Sequence, residues 1–326
     1  MKSIKIVAIT IAIIVIVSAV SVYAYYSTQN SGNPLSGSYT VVDDEGYATV
    51  FTSTPQKLVS LAPSVTPILY EIGVGDRIVG LTQYDDYPYN FSAWFEAGNM
   101  TCVGGFSTPN MEVITSLKPD LVFSTDINDK LVANMRELGY NVIVVGPTSI
   151  EGIYSTIQKI GKATGAENNA NTLVNNLRSE ISSVQSTIAH ANIAEKPTVY
   201  YEIYCSQSGL MSAGSGSWIN DVINTAGGIN IFANETQEYP STSSEVVVQK
   251  NPAVILLPTN MGTGTPSYGS VADVKARPGW NTIDAVKNNR IYVIDQNIFN
   301  QPGARIAEQV KAVAQCLYPQ LFNSTP

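Results

Sequence analysis

Four aromatic side chains, Tyr84, Phe106, Trp218 and Tyr239, stand in polar or glycine- and proline-bearing loops rather than inside apolar runs. Rigid aromatic faces with few torsions to freeze suit the walls of a site for a large ring-bearing ligand. Arg305, after the last predicted strand, adds a cation that either faces such a ligand or serves its own helix. A second pair has a different signature. Glu112 and Glu245 each precede a proline by seven residues and follow an aromatic, Phe106 or Tyr239, by six. Each acid alone is explained as a first-turn residue favoured by a helix dipole, but that explanation does not account for their shared register. Plain structural roles exist for the aromatics too: Phe106 and Tyr239 as core residues, and Trp218 as a staple at a helix start after Gly214-Ser-Gly-Ser217. That glycine-serine loop lacks the lysine of a phosphate-binding P-loop.

Other chemistry is poorly provided for. The 326 residues contain one histidine, His190, which reads as a solvated helix residue, and three separated cysteines, Cys102, Cys205 and Cys316. His-rich and CxxC metal sites are thereby excluded, and no Ser/His/Asp set or paired acids at a recognisable spacing emerges. The chain reads as a non-enzymatic binder with no catalytic residues, no resident cofactor and no metal site. An extracellular enzyme or an adhesion module stands as the alternative of another class. Lys+Arg 18 against Asp+Glu 26 gives a net charge of −8, which speaks against nucleic acid as a partner.

The elements that position these residues are legible from periodicity. Lys2 and Lys5 precede the uncharged run Ile6 to Ala24, so residues 1–26 read as a signal peptide or a membrane anchor, with the flanking charges inside. Both options stay open, and no cysteine near the end of the run offers a site for lipid modification. Residues 27–38, rich in Ser, Asn, Gly and Pro, form a tether to an exterior domain. The remainder exceeds one ordinary core and repeats internally. Glu112 to Phe123 and Glu245 to Leu256 both read as a short helix, a proline stop and a buried strand. Strand Lys57 to Ala62 matches strand Thr198 to Tyr204, and helices end at Gly73 and Gly227. Helix Asn128 to Leu138 with strand Asn141 to Val145 matches Val271 to Val286, broken at Pro278, with strand Arg290 to Ile294. Alternating strands and helices imply an α/β fold of two lobes with mostly parallel sheets. Ala170, Leu173, Val174, Leu177, Ile181, Val184 and Ile188 recur at helical spacing, predicting one long helix over 166–194 between an N-terminal lobe at 39–165 and a C-terminal lobe at 195–326. A single stiff strut predicts little closure on ligand binding.

At this point a resemblance becomes visible. Tyr39-Thr-Val-Val-Asp-Asp-Glu-Gly46, Pro55-Gln-Lys-Leu-Val-Ser-Leu-Ala-Pro-Ser64, Gly73-Val-Gly-Asp-Arg-Ile-Val-Gly-Leu-Thr82 and Tyr84-Asp-Asp-Tyr-Pro88 resemble the opening of the substrate-binding proteins of ABC importers for cobalamin, iron siderophores and haem. Gly227-Gly-Ile-Asn-Ile-Phe232 and Gln301-Pro-Gly-Ala-Arg-Ile306 resemble the later signatures, and the likeness covers residues 39 to 320. Thr66-Pro67 departs from the Thr-Glu often found there, although Pro67 suits the first helical position with Thr66 as N-cap. The resemblance implies two lobes joined by a backbone helix, one ligand in the cleft between them and an extracytoplasmic location, anchored or secreted. It also implies a partner: a dimeric ABC permease with its ATPase subunits, whose arginines meet the acids at the positions of Glu112 and Glu245. The ligand-binding set is then Tyr84, Phe106, Trp218, Tyr239 and Arg305. The Tyr-Asp-Asp-Tyr-Pro segment leans toward cobalamin, with a ferric siderophore or haem as the alternative.

Overall fold

Valine-, isoleucine- and leucine-rich runs alternate with amphipathic ones through both halves, and they fold accordingly in a computed structural model that describes residues 37–191, 193–206, 209–259 and 270–322. The expected signal or anchor segment and most of the tether lie outside the described residues. Among the described residues no helix is long and apolar enough to cross a membrane.

The N-terminal half starts with the hairpin β1 (Tyr39–Val42) and β2 (Ala48–Phe51). It continues through β3 (Leu58–Ser60), α1 (Val65–Glu71), β4 (Ile78–Leu81), α2 (Phe91–Glu96), β5 (Thr101–Cys102), α3 (Met111–Leu117), β6 (Leu121–Ser124), α4 (Asp129–Glu137) and β7 (Val142–Val144). Helix α1 starts two residues earlier than expected, with Ser64 rather than Thr66 at the N-cap position, and the buried Thr66 hydroxyl donates to Ser60 Oγ at 3.0 Å instead. The five later strands form a wholly parallel sheet in the order β5-β4-β3-β6-β7. Every residue of β3, β6 and β7 is buried, as both faces of a parallel sheet covered by helices require.

Two helices follow, α5 (Ile150–Thr164) and α6 (Glu167–His190), joined through Gly165 at φ 69°. The C-terminal half comprises β8 (Thr198–Ser206), β9 (Gly209–Ser212), α7 (Trp218–Thr225), β10 (Ile229–Asn230), β11 (Ser241–Thr242), α8 (Ser244–Lys250), β12 (Val254–Pro258), α9 (Val271–Ala276), α10 (Asp284–Lys287), β13 (Ile291–Ile294), α11 (Gln296–Phe299) and α12 (Ile306–Leu317). Its sheet runs β11-β9-β8-β12-β13, with β10 also on β8. The trio β8-β12-β13 is parallel and repeats β3-β6-β7 of the first lobe, whereas β9 and β11 add an antiparallel edge that the strand-helix alternation did not suggest. The predicted helix from Val271 to Val286 is two short helices with a turn of 3-10 helix at Trp280–Thr282 between them. Pro278 lacks the N–H a continuous helix needs.

The strut is shorter than the 166–194 run suggests. It ends with Ala191 as its cap, and its 24 residues span about 36 Å at 1.5 Å per residue. Ala170, Val174, Leu177, Ile181 and Val184 are buried along one face, with Leu173 and Ile188 packed beside them. That face welds the halves. One hydrophobic cluster runs from Leu58, Leu121 and Ile143 of the first sheet, through α5, α6 and α12, to Val199, Val254 and Leu256 of the second. Three further contacts cross between the halves. The Ile150 N–H donates to Asp221 Oδ2 at 3.2 Å, the Arg305 guanidinium lies 4.4 Å from the centre of the Tyr87 ring, and the backbone at Gly303 presses on Ser64. A Cβ at 303 would stand 2.6 Å from the Ser64 carbonyl oxygen, so only glycine permits this approach. A continuous core resists shear, because packed interiors have few voids to absorb displacement. Spin labels on the outer faces of α4 and α9 are therefore expected to change separation by no more than about 3 Å when ligand binds, where hinge-bending binders close by far more. A closure of tens of degrees in paired free and bound structures would defeat the strut as a rigid element.

Candidate functional site

Between the lobes lies a cleft of about 640 Å³, walled by the loops that follow the parallel strands. Ligand sites of open α/β sheets form there because several strand ends converge on one edge. The loop after β4 is closed by Asp85, whose Oδ2 accepts hydrogen bonds from the Thr82 N–H at 2.9 Å and the Thr82 hydroxyl at 2.7 Å. This turn presents Tyr84, 44% exposed, edge-on to Phe106 with ring centres 5.3 Å apart. Phe106 is fixed from behind. The side-chain amide of Asn128 donates to its carbonyl at 2.6 Å, and the Gln83 N–H ties its loop through the Gly104 carbonyl at 2.9 Å.

The opposite wall comes from the second lobe. Ser217 caps α7, accepting from the Asn220 N–H, so that Trp218 is its first residue, almost wholly buried yet lining the cleft. Trp218 also shares a hydrogen bond with Tyr239, and the indole N–H is the only donor its side chain has. Partial burial, reinforced by the neighbouring Glu238, pushes the Tyr239 hydroxyl up to about 12. The Gly214-to-Ser217 loop buttresses this wall. Its Gly214 N–H donates to the Glu238 carbonyl at 2.9 Å, and a Cβ at 214 would fall 2.1 Å from the Gln237 carbonyl oxygen. The loop thus holds its neighbour's backbone, which is a structural use of its glycines.

The structure therefore brings Tyr84, Phe106, Trp218 and Tyr239 together, two from each lobe. Arg305 stands at the margin of the cleft, close enough for its charge to act on Asp86. Its guanidinium donates to Glu308 at 2.9 and 2.7 Å and covers the Tyr87 ring, off the cleft lining. It braces one lobe on the other. Beside smaller polar residues and Gln83 and Gln301, the charged and most prominent amide side chains of the cleft that the sequence reading did not assign to the site are Asp85, Asp86, Asp126, Glu238, Gln296 and Asn300. The signal for half of them was adjacency, since Asp85 and Asp86 follow Tyr84 and Glu238 precedes Tyr239. His190 is exposed near the end of α6, bonded to the Ser186 carbonyl at 2.6 Å. The three cysteines are free thiols, and among the described residues no group of His, Cys, Asp and Glu is arranged to hold a metal ion.

Asp85 couples the site to stability. It is only 2% exposed, and burial raises its carboxyl to about 6, against hydrogen bonds that pull the other way. A carboxyl that is harder to ionise folded than unfolded binds the extra proton in the native state between pH 3.8 and about 6. Stability through this group thus falls as pH rises across that window and is lower above it. Asparagine keeps the acceptor for Thr82 and removes the charge. Asp85→Asn is expected to raise the urea midpoint at pH 7, by on the order of 2 kcal/mol in unfolding free energy, and to narrow its advantage toward pH 4. A variant equally or less stable at pH 7 would show that the amide NH2, set where Asp85 Oδ1 has no partner, costs as much as the removed charge.

Glu112 and Glu245 lie away from the cleft, on α3 and α8. Each is the second residue of a seven-residue helix and is exposed; each helix ends on a non-glycine residue in the left-handed region, Lys118 (φ 50°) or Asn251 (φ 43°), followed by proline and the middle strand β6 or β12. Asn110 caps α3 through the N–H groups of Glu112 and Val113 at 3.0 and 3.2 Å. A hydrogen bond with Ser243 holds the Glu245 carboxyl below its usual range.

Comparison with known proteins agrees with this architecture. The profile of the family described as periplasmic binding protein matches residues 58–298. The ABC transporter substrate-binding lipoprotein YvrC of Bacillus subtilis (strain 168) is 30% identical over 289 residues, covering 87% of both chains. The vitamin B12-binding protein of Vibrio cholerae serotype O1 is 26% identical over 266 residues, covering 81% of this chain and 88% of its own. Among solved structures, a possible iron-binding periplasmic solute-binding protein from Staphylococcus epidermidis superposes with a TM-score of 0.69 at 27% identity, covering 81% of this chain and 99% of its own. Two α/β lobes around one aromatic cleft, matched over most of the chain by the family profile and by these relatives, make this chain a member of the periplasmic binding protein family, an extracytoplasmic substrate-binding component of an ABC importer and not an enzyme.

Proposed function

We propose that the cleft captures a corrinoid of the cobalamin type and that the loaded protein delivers it to a dimeric permease through Glu112 and Glu245. The observation that carries the ligand reading is the aromatic quartet Tyr84, Phe106, Trp218 and Tyr239, two from each lobe around one cleft. Flat faces held at a fixed separation bury a broad ring without a large closing motion. A relative over most of the chain is named for vitamin B12. A ferric siderophore is the second reading, favoured by the similarity to a possible iron-binding protein. Calorimetric titration of the purified domain with cyanocobalamin, a ferric siderophore and haem tests the assignment. Saturable 1:1 binding of cyanocobalamin, tighter than of the other two, is expected, and preference for an iron chelate or haem would transfer the assignment to that ligand.

Residues 6–24 are proposed to direct the chain to the outer face of the membrane and, if left uncleaved, to anchor it there. Fractionation of cells into membrane and medium separates an anchored from a secreted form.

A further inference from the structure

The lining of the cleft is one-sided in charge. Asp85, Asp86, Asp126 and Glu238 belong to it, and among the described residues no lysine, arginine or histidine does. The sequence at 207–208 and 260–269, outside the described residues, contains none of these three residue types. The acids line this one cleft from opposite lobes. Partial burial and the charge of Asp295 push the Asp86 carboxyl up, with Arg305 opposing; partial burial and the charge of Asp126 do the same to Glu238. Arg305, the guanidinium that acts on Asp86, is committed to Glu308 and to the face of Tyr87.

An independent feature points the same way. Gln296, 5% exposed, lines the cleft, and its Oε1 is buried without a hydrogen-bond donor among the described residues. A buried acceptor left unpaired is costly, and carboxylates are acceptors only. Both features call for a ligand that brings N–H donors and no anionic groups.

We infer that the cleft selects by charge: Asp86, Asp126, Glu238 and Gln296 favour a neutral or cationic chelate whose rim presents primary amides, and disfavour chelates whose rim carries carboxylates. The inference rests on the proposed capture of a corrinoid and narrows it to amidated forms. Amide N–H groups meeting carboxylates form charge-assisted hydrogen bonds. A carboxylate on the same rim meets like charge from both walls, a repulsion that salt weakens.

The test compares cyanocobalamin with the same corrin whose peripheral amides have been hydrolysed to carboxylates, by fluorescence quenching at pH 7. The carboxylate form is expected to bind at least about tenfold more weakly in low salt. Raising salt from about 20 mM to about 500 mM should shrink that ratio, and so should the double variant Asp126→Asn/Glu238→Gln, whose thermal transition reports that it is folded. Equal affinities in the unmodified protein, or a ratio unmoved by both salt and the variant, would overturn charge selection. If neither corrinoid binds, the corrinoid assignment falls, and the inference is decided by a cationic ferric trihydroxamate against an anionic ferric tricatecholate. Tighter binding of the cation upholds it, and equal or reversed order overturns it. Binding of none of these ligands overturns both readings.

Discussion

Replacing Glu112 and Glu245 together by lysine is expected to leave ligand affinity intact while abolishing transport and stimulation of the transporter's ATPase in vesicles that hold the cognate permease. Both acids are exposed in the first turns of short helices, remote from the cleft lining, so the substitution removes no packing. Its structural cost is the loss of two favourable interactions with helix dipoles and of the Glu245 hydrogen bond with Ser243, all at the solvent-exposed surface. The functional cost is larger because of the symmetry. A two-fold permease displays one basic patch twice, and a monomeric receptor answers it only by presenting two alike acidic points. In the proposed docking α3 and α8 would provide them, each ending on a left-handed residue before a proline and a buried middle strand. Reversing both charges turns attraction into repulsion at each point, which affects orientation and encounter rate above all. Full transport by the double variant would return both residues to the role of ordinary helix-start acids.

Truncating Phe106 or Tyr239 to alanine is expected to weaken ligand binding at least tenfold for each, about 1.4 kcal/mol, and about a hundredfold for the pair. Each removes one face of the cleft from a different lobe. In the Phe106 variant Tyr84 loses the ring that it meets at 5.3 Å, so its orientation loosens as well. In the Tyr239 variant Trp218 loses a hydrogen-bond partner, though it stays seated at the start of α7. Isothermal titration with cyanocobalamin reads the effect directly, and the folded state is checked by near-UV circular dichroism. Unchanged affinity in both single variants would remove these rings from the site.

The parts of this molecule that were legible in advance are those that one element encodes by itself. The strut shows in Ala170, Val174, Leu177, Ile181 and Val184, because a helix packed on one side must repeat its apolar residues at its own period. Buried strands such as β6 and β12 show as continuous apolar runs, and the repeat of helix, proline and strand shows in both lobes because each half solves the same packing problem. Loop aromatics were legible for a related reason: Phe106 and Tyr239 stand outside any apolar period, so their burial needs a partner from elsewhere.

The amino-acid sequence by itself thus determined two α/β halves, a strut, an aromatic set and a matched pair of acids. Only the tertiary structure decided that Arg305 turns to Tyr87 and Glu308, that β9 and β11 close the second sheet as an antiparallel edge, and that Asp126 and Glu238 line one cleft from opposite lobes. Periodicity reports which face of an element is buried and is silent about what it is buried against. Which residue meets which across the cleft follows from how two lobes, far apart along the chain, are set by the buried face of α6 and by the backbone contact of Gly303 with Ser64.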